Sequence, residues 1–141
     1  MSKISERLAE LGERFTQEPY AKFLGAELSE LTINYAVVRA VAKDDVLIVG
    51  GIVQGGFTAS IADFAGVYAA MAALPSGHTP LQSIDMHFLR PVKAGETIEA
   101  RGQVINVGKR TVHVTVRVFG EGNKLKAHAI CAFAIIKEKS S

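Results

Sequence analysis

The feature that most constrains this chain is the run from Gly50 to Leu74, GGIVQGGFTASIADFAGVYAAMAAL. Ala59, Ala62, Ala65, Ala69, Ala70, Ala72 and Ala73 are strong helix formers and Pro75-Ser76-Gly77 ends the pattern, which predicts one long helix from Phe57 onward. At about 1.5 Å per residue, such a helix reaches about 27 Å, the width of a small domain. Apolar or small side chains occupy almost every face, and a helix apolar all round is expected to be buried all round. One charge, Asp63, interrupts it. An unpaired buried carboxylate costs several kcal/mol, so Asp63 must find partners or shift its pKa. It is the first candidate for chemistry.

The flanking sequence supplies the cover. Ile4, Leu8, Leu11 and Phe15 recur at helical spacing among charged residues, predicting a short amphipathic helix that Pro19 to Leu24 (PYAKFL) breaks. Glu27 to Leu31 and Tyr35 to Ala42 read as strands, with Lys43-Asp44-Asp45 as a charged loop. After the long helix, Ser83 to Leu89, Thr97 to Val107, Thr111 to Phe119 and Leu125 to Ile136 alternate or are rich in β-formers, with turns between them. The expected fold is α+β, a mostly antiparallel meander with helical cover. One sheet covers one side of a helix; the remaining apolar surface calls for a second copy of the chain.

With 141 residues the sequence reads as a single domain, 1–141, large enough for a real core. The net charge of +2 is too small and too dispersed to suggest a nucleic-acid partner. Cys131 is the single cysteine, which excludes an internal disulfide and fits a reducing cytoplasm; in an apolar strand it reads as a core thiol. The N-terminal MSKISERLAEL carries charges where a signal peptide needs an unbroken apolar stretch, and Asp63 argues against a membrane-spanning helix, so a cytoplasmic protein is expected. His87 and His113 have no partner at metal-ligand spacing.

Gln54-Gly55-Gly56, Asp63 nine residues after Gln54, Phe88-Leu89-Arg90-Pro91, Gly95 and Val107-Gly108-Lys109-Arg110 occur in an order and spacing that resembles the hotdog-fold acyl-CoA thioesterases, in their PaaI-like branch. The resemblance covers nearly the whole chain after about Gly25. It implies a curved antiparallel sheet wrapped around the long helix, two protomers forming one continuous sheet, and further association into a dimer of dimers, a homotetramer. It implies an oxyanion-binding role for the N–H of Gly55 at the helix N-terminus, where unpaired amides and the helix dipole favour negative charge, beside Gln54 and Gly56. It makes Asp63 the general base or the nucleophile, acting across the dimer interface because nine helical positions span about 13 Å. Ser83, or less favourably Thr79, would orient the water. Gly108, Lys109, Arg110 and Arg90 would bind the phosphates of coenzyme A. No cofactor and no metal is implied.

Two positions depart from the family pattern. Gln54 stands where the family has a histidine, and Ile48 where an asparagine is common. Glutamine can hydrogen-bond but does not titrate near neutrality. Two rival readings therefore stand beside hydrolysis: a non-catalytic acyl-CoA-binding or regulatory protein, and an enoyl hydratase or dehydratase, which would pair its acid with a histidine. Phe57, Tyr68 and Met71 either line an acyl pocket or only pack against the sheet. Acyl chain, carrier (coenzyme A or acyl carrier protein) and pathway are not legible in the residues.

Overall fold

Four valines decide the sheet. Val112, Val114, Val116 and Val118 are fully buried while Thr111, His113, Thr115 and Arg117 alternate with them, so one face of this strand lies against a core and the other does not. The computed structural model describes residues 2–138. In chain order the elements are α1 (Lys3–Phe15), α2 (Pro19–Leu24), β1 (Glu27–Thr32), β2 (Tyr35–Val41), α3 (Gly55–Ala72), β3 (Leu81–Phe88), β4 (Thr97–Val107), β5 (Thr111–Phe119) and β6 (Leu125–Ala134). All six strands form one sheet in the order β1-β2-β4-β5-β6-β3, and every neighbouring pair is antiparallel.

The expected meander holds for β4, β5 and β6. β3 departs from it: the strand crosses to the far edge and pairs with β6, with Ile84 opposite Cys131 and Phe88 opposite Ala127. Nothing local in the sequence reports which neighbour an edge strand will take. One edge of β3 is left without a partner strand among the described residues.

α3 lies across the inner face of β2, β4 and β5. Its approach to β4 needs a glycine: a Cβ on Gly102 would stand 2.6 Å from the Ala65 carbonyl oxygen. The helix starts at Gly55, two residues before the expected Phe57, because Gln54 takes an extended N-cap conformation and the two glycines form the first turn. Burial all round is corrected in part. Phe57, Ile61, Ala62, Phe64, Ala65 and Tyr68 are buried, but Gly56, Ala59, Ser60, Asp63 and Val67 form a stripe at helical spacing that the protomer does not fully cover. Among the described residues no helix is long and apolar enough to cross a membrane.

α1 closes the flank of α3. Phe15 meets Phe64 and Tyr68 edge-on, with ring centroids 5.8 and 5.0 Å apart. PYAKFL does break this helix, yet it also forms one of its own. Pro19 pre-sets the first turn and Gly25 closes the last in the left-handed region (φ 68°), a start and stop that six residues without a full period conceal.

Candidate active site

The N-terminal end of α3 is built by the loop before it. The Gln54 N–H donates to the Val46 carbonyl at 2.8 Å and the Gln54 carbonyl accepts from the Phe57 N–H at 3.0 Å, which orients the turn. The Gln54 side chain makes no capping hydrogen bond and stands exposed. The N–H groups of Gly55 and Gly56 lie in the first turn, where an α-helix has no internal acceptor for them. A side chain at Gly55 would crowd the Phe88 ring, whose nearest carbon is 3.3 Å from the place a Cβ would take. The Gly56 carbonyl accepts from the Ser60 hydroxyl at 2.8 Å.

A cleft of about 730 Å³ opens beside this turn, lined by Gln54, Gly56 and Phe57, by Ile48 and Val49 of the preceding loop, and by Tyr20 and Phe23 of α2 among others. Its aromatic wall is a part of the candidate site that sequence reasoning missed. The signal was present: Pro19 and Gly25 bracket a helical turn, and Tyr20 and Phe23, three residues apart, share one face of it. Of the three suggested pocket residues, Phe57 lines this cleft, whereas Tyr68 and Met71 are each 1% exposed and belong to the core.

Asp63 sits mid-helix on the stripe that the protomer does not fully cover. No hydrogen bond or ion pair to its carboxylate occurs among the described residues, and burial pushes its pKa up to about 6. A carboxylate with that pKa is ionised at neutral pH yet basic enough to accept a proton. Cys131 lies on the sheet beneath α3; burial first, and the Asp63 charge second, push its thiol up to about 12, so it stays protonated and unreactive. Asp63 remains about 13 Å along the helix from Gln54, and one protomer does not bring the two together.

The other expected residues are spread over the sheet. Strand register pairs Ser83 with Ala132 and Ile84 with Cys131, so Ser83 faces away from α3. It shares a shallow outer depression of about 240 Å³ with Asp85 and His113. Thr79 is buried and its hydroxyl donates to the Val67 carbonyl at 3.2 Å, so that group is already used. Arg90 is exposed beside the Phe88 end of β3, and its guanidinium donates to the Leu125 carbonyl at 2.7 Å. Gly108 donates to the Thr111 carbonyl at 2.8 Å and closes the β4–β5 turn, from which Lys109 and Arg110 project at the opposite end of the sheet. The strand length from Val112 to Val118 places that turn roughly 20 Å from the Gly55 end. Within the protomer, then, Gln54, Gly55, Gly56 and Arg90 share one end, Asp63 lies at the middle of α3, and Lys109 and Arg110 lie at the other end.

His113 and His128 face outward from β5 and β6, and His87 lies opposite His128 on the same face, 3.4 Å from Asp85. Among the described residues no group of three or more His, Cys, Asp or Glu side chains is arranged to hold a metal ion.

Comparison with known proteins places this geometry. A sequence model of the Thioesterase superfamily matches residues 50–127, from the turn before α3 to the early part of β6. A protein of Saccharolobus solfataricus named "Putative esterase" is 30% identical over 95% of this chain and 89% of its own. The phenylacetic acid degradation protein PaaI of Thermus thermophilus, solved as a point mutant, is 31% identical over 84% of this chain and all of its own, with a TM-score of 0.76. The PaaI protein of E. coli is 24% identical and superposes over 99% of this chain and 97% of its own, with a TM-score of 0.87. The sheet order, the long helix and the Gly-Gly turn occur together because this chain belongs to the thioesterase superfamily and is a PaaI-like hotdog protein, a hydrolase of the thioester class.

Proposed function

We propose that the protein hydrolyses an acyl-CoA thioester to the free acid and coenzyme A, at sites shared by two protomers. The observation that carries this reading is Asp63: a carboxylate without a hydrogen-bond partner among the described residues, raised by burial to a pKa of about 6, on the stripe of α3 that its own chain covers only in part. A partner helix laid against that stripe would bring its glycine turn to this acid.

The chemistry then follows from the groups available. The thioester carbonyl oxygen accepts from the Gly55 N–H, where the helix dipole favours the developing negative charge. Gln54 supplies a hydrogen bond without titrating. Asp63 of the other protomer takes a proton from water, the water oxygen attacks the carbonyl carbon, and the tetrahedral intermediate collapses with loss of the C–S bond. The thiolate leaves with the proton that Asp63 holds. Ser83, if it takes part, must do so across an interface, because its own strand turns it from α3. Arg90, Lys109 and Arg110 are the phosphate ligands of this reading, and the roughly 20 Å between the two ends of the sheet favours their coming from different protomers.

Dimers, and a dimer of dimers, belong to the proposal. The edge of β3 that has no partner strand among the described residues and the partly covered stripe of α3 support them. A second reading, binding without turnover, draws on Ile48: its apolar side chain, 43% exposed, lines the cleft where relatives of this type commonly place an asparagine. The hydratase reading has less support, since His87, His113 and His128 occupy the sheet face opposite α3.

Thiol release from a panel of acyl-CoAs, with Asp63→Asn in parallel, tests the proposal. Turnover that falls by about 10²–10⁴-fold in the variant supports Asp63 as base. Near wild-type turnover in Asp63→Asn would refute that role, and acyl-CoA binding with no thiol release by the wild-type protein would select the binding reading.

A further inference from the structure

Five large apolar side chains stand exposed around the glycine turn: Tyr20, Phe23, Ile48, Val49 and Ile52, with Phe23 75% and Val49 fully exposed. The first four line the same cleft. Exposed apolar residues scattered singly need no explanation, but a gathered set of this kind marks a binding surface.

The aromatic wall is held in place. The Ser60 hydroxyl donates its one proton to the Gly56 carbonyl, so the contact between Tyr20 and Ser60, 2.9 Å long, has Tyr20 as donor. The chain Tyr20 to Ser60 to Gly56 ties α2 to the first turn of α3. Phe23 stacks on Tyr20 with centroids 6.4 Å apart and ring planes 14° apart, and Tyr20 also leans on Phe64 at 6.0 Å. Phe23 thus presents its apolar face to the cleft, stacked on a tyrosine that is itself tied to α3.

Charge decides which part of a thioester this face can take. Among the described residues no lysine or arginine lines the cleft, and the one charged side chain in its lining is that of Asp45, itself acidic. The polyphosphate arm of coenzyme A would be repelled there, whereas the acyl group starts at the carbonyl beside Gly55 and needs an uncharged path away from it. We propose that Tyr20 and Phe23 form the wall that receives the acyl group, so that the substrates are thioesters of uncharged, apolar acids larger than acetic acid. This rests on the hydrolase reading above and adds its substrate class. Tyr20 is a positioning residue in this scheme, and Phe23 is the contact.

The test compares kcat/KM for octanoyl-CoA, acetyl-CoA and succinyl-CoA in the wild-type protein and in Phe23→Ser and Tyr20→Phe. Because Phe23 is mostly exposed, its replacement removes little from the core. The wild-type protein is expected to prefer octanoyl-CoA over both others. The octanoyl-to-acetyl ratio should fall about tenfold in Phe23→Ser and by less in Tyr20→Phe. Sedimentation of the same variants reports on the rival occupant, a second copy of this chain. An unchanged ratio overturns the proposal, whether or not the oligomer weakens; so does preference for succinyl-CoA. If the wild-type protein cleaves none of the three, calorimetric binding of octanoyl-CoA decides. Binding that weakens about tenfold in Phe23→Ser keeps the acyl wall while the hydrolase reading fails; binding that is absent or unaffected overturns the acyl wall too.

Discussion

The two ends of α3 are treated in opposite ways. At the C-terminal end the chain itself supplies donors: the Ala73 and Leu74 N–H groups meet the Ala70 and Met71 carbonyls at 3.1 Å each, and buried Arg7 of α1 donates to the Met71 carbonyl at 3.3 Å and, just past the helix, to those of Leu74 at 3.1 Å and Gly77 at 2.8 Å, with a further N–H on Glu10 at 3.0 Å. A cation there also complements the negative end of the helix dipole. At the N-terminal end, among the described residues, the Gln54 side chain makes no capping hydrogen bond to the first turn of Gly55 and Gly56, and apolar side chains stand exposed nearby. Both ends carry the same number of unpaired backbone groups by construction. What differs is whether the chain supplies the partner. A helix end met by its own chain serves stability; under the proposed function, the end without a side-chain cap beside a cleft is where the thioester binds.

The largest expected effect is on the open side. Asp63→Asn should cost about 10²–10⁴-fold in turnover, as above, while leaving the fold more stable at neutral pH, because the raised pKa means the folded chain disfavours the ionised carboxyl. The sign follows from the shift. Asp63 favours folding below its ordinary pKa of 3.8, and that contribution is lost as pH rises through about 6. A thermal melt of Asp63→Asn at neutral pH that fell below wild type would contradict this. The rate should in turn rise with pH through about 6, since only the ionised form can take a proton from water.

Next in size is the sealed end. Arg7→Met keeps the apolar stem but leaves the Leu74 and Gly77 carbonyls without their donor, the Met71 carbonyl keeping the Leu74 N–H, and a loss of about 2–4 kcal/mol in denaturant unfolding is expected, with turnover per folded molecule retained. If stability were unchanged and activity lost, the contrast between the two ends would collapse. A smaller effect sharpens it. Gly55→Ala adds a methyl group beside Phe88 and, under the proposed function, in the path of the thioester approaching the amide. Its cost in stability should stay within about 1 kcal/mol while kcat/KM drops about tenfold. Equal losses in both would make Gly55 a packing residue.

The smallest effect concerns Glu96, whose carboxylate pairs with Lys126 at 3.1 Å and accepts the Lys93 and Glu121 N–H groups. Burial alone would raise its pKa, but those hydrogen bonds and the lysine outweigh it and hold the carboxyl below its ordinary value. Its contribution is therefore present above the ordinary pKa of 4.5 and is lost as pH falls through the lower folded value. Melts from neutral to strongly acid pH should show Glu96→Gln converging with wild type at the acid end, opposite in sign to Asp63→Asn. Divergence there would show that the buried pair is not what acid disrupts.

What the sequence alone determined was whatever repeats at short range. The alternation in Thr111–Phe119 matches β5 to the residue, since a half-buried strand writes its two faces into a period of two, and the β-rich run Thr97–Val107 between turns matches the bounds of β4. The apolar run around Asp63 identified the long helix, and with it the acid whose environment is most perturbed on α3. Only the tertiary structure decided that β3 lies beside β6, that Arg7 reaches residues 64 to 70 positions away, and that Tyr20 and Phe23 wall the cleft. Those arrangements depend on which surfaces remain uncovered once the sheet has formed, a property of the whole chain that no local period records.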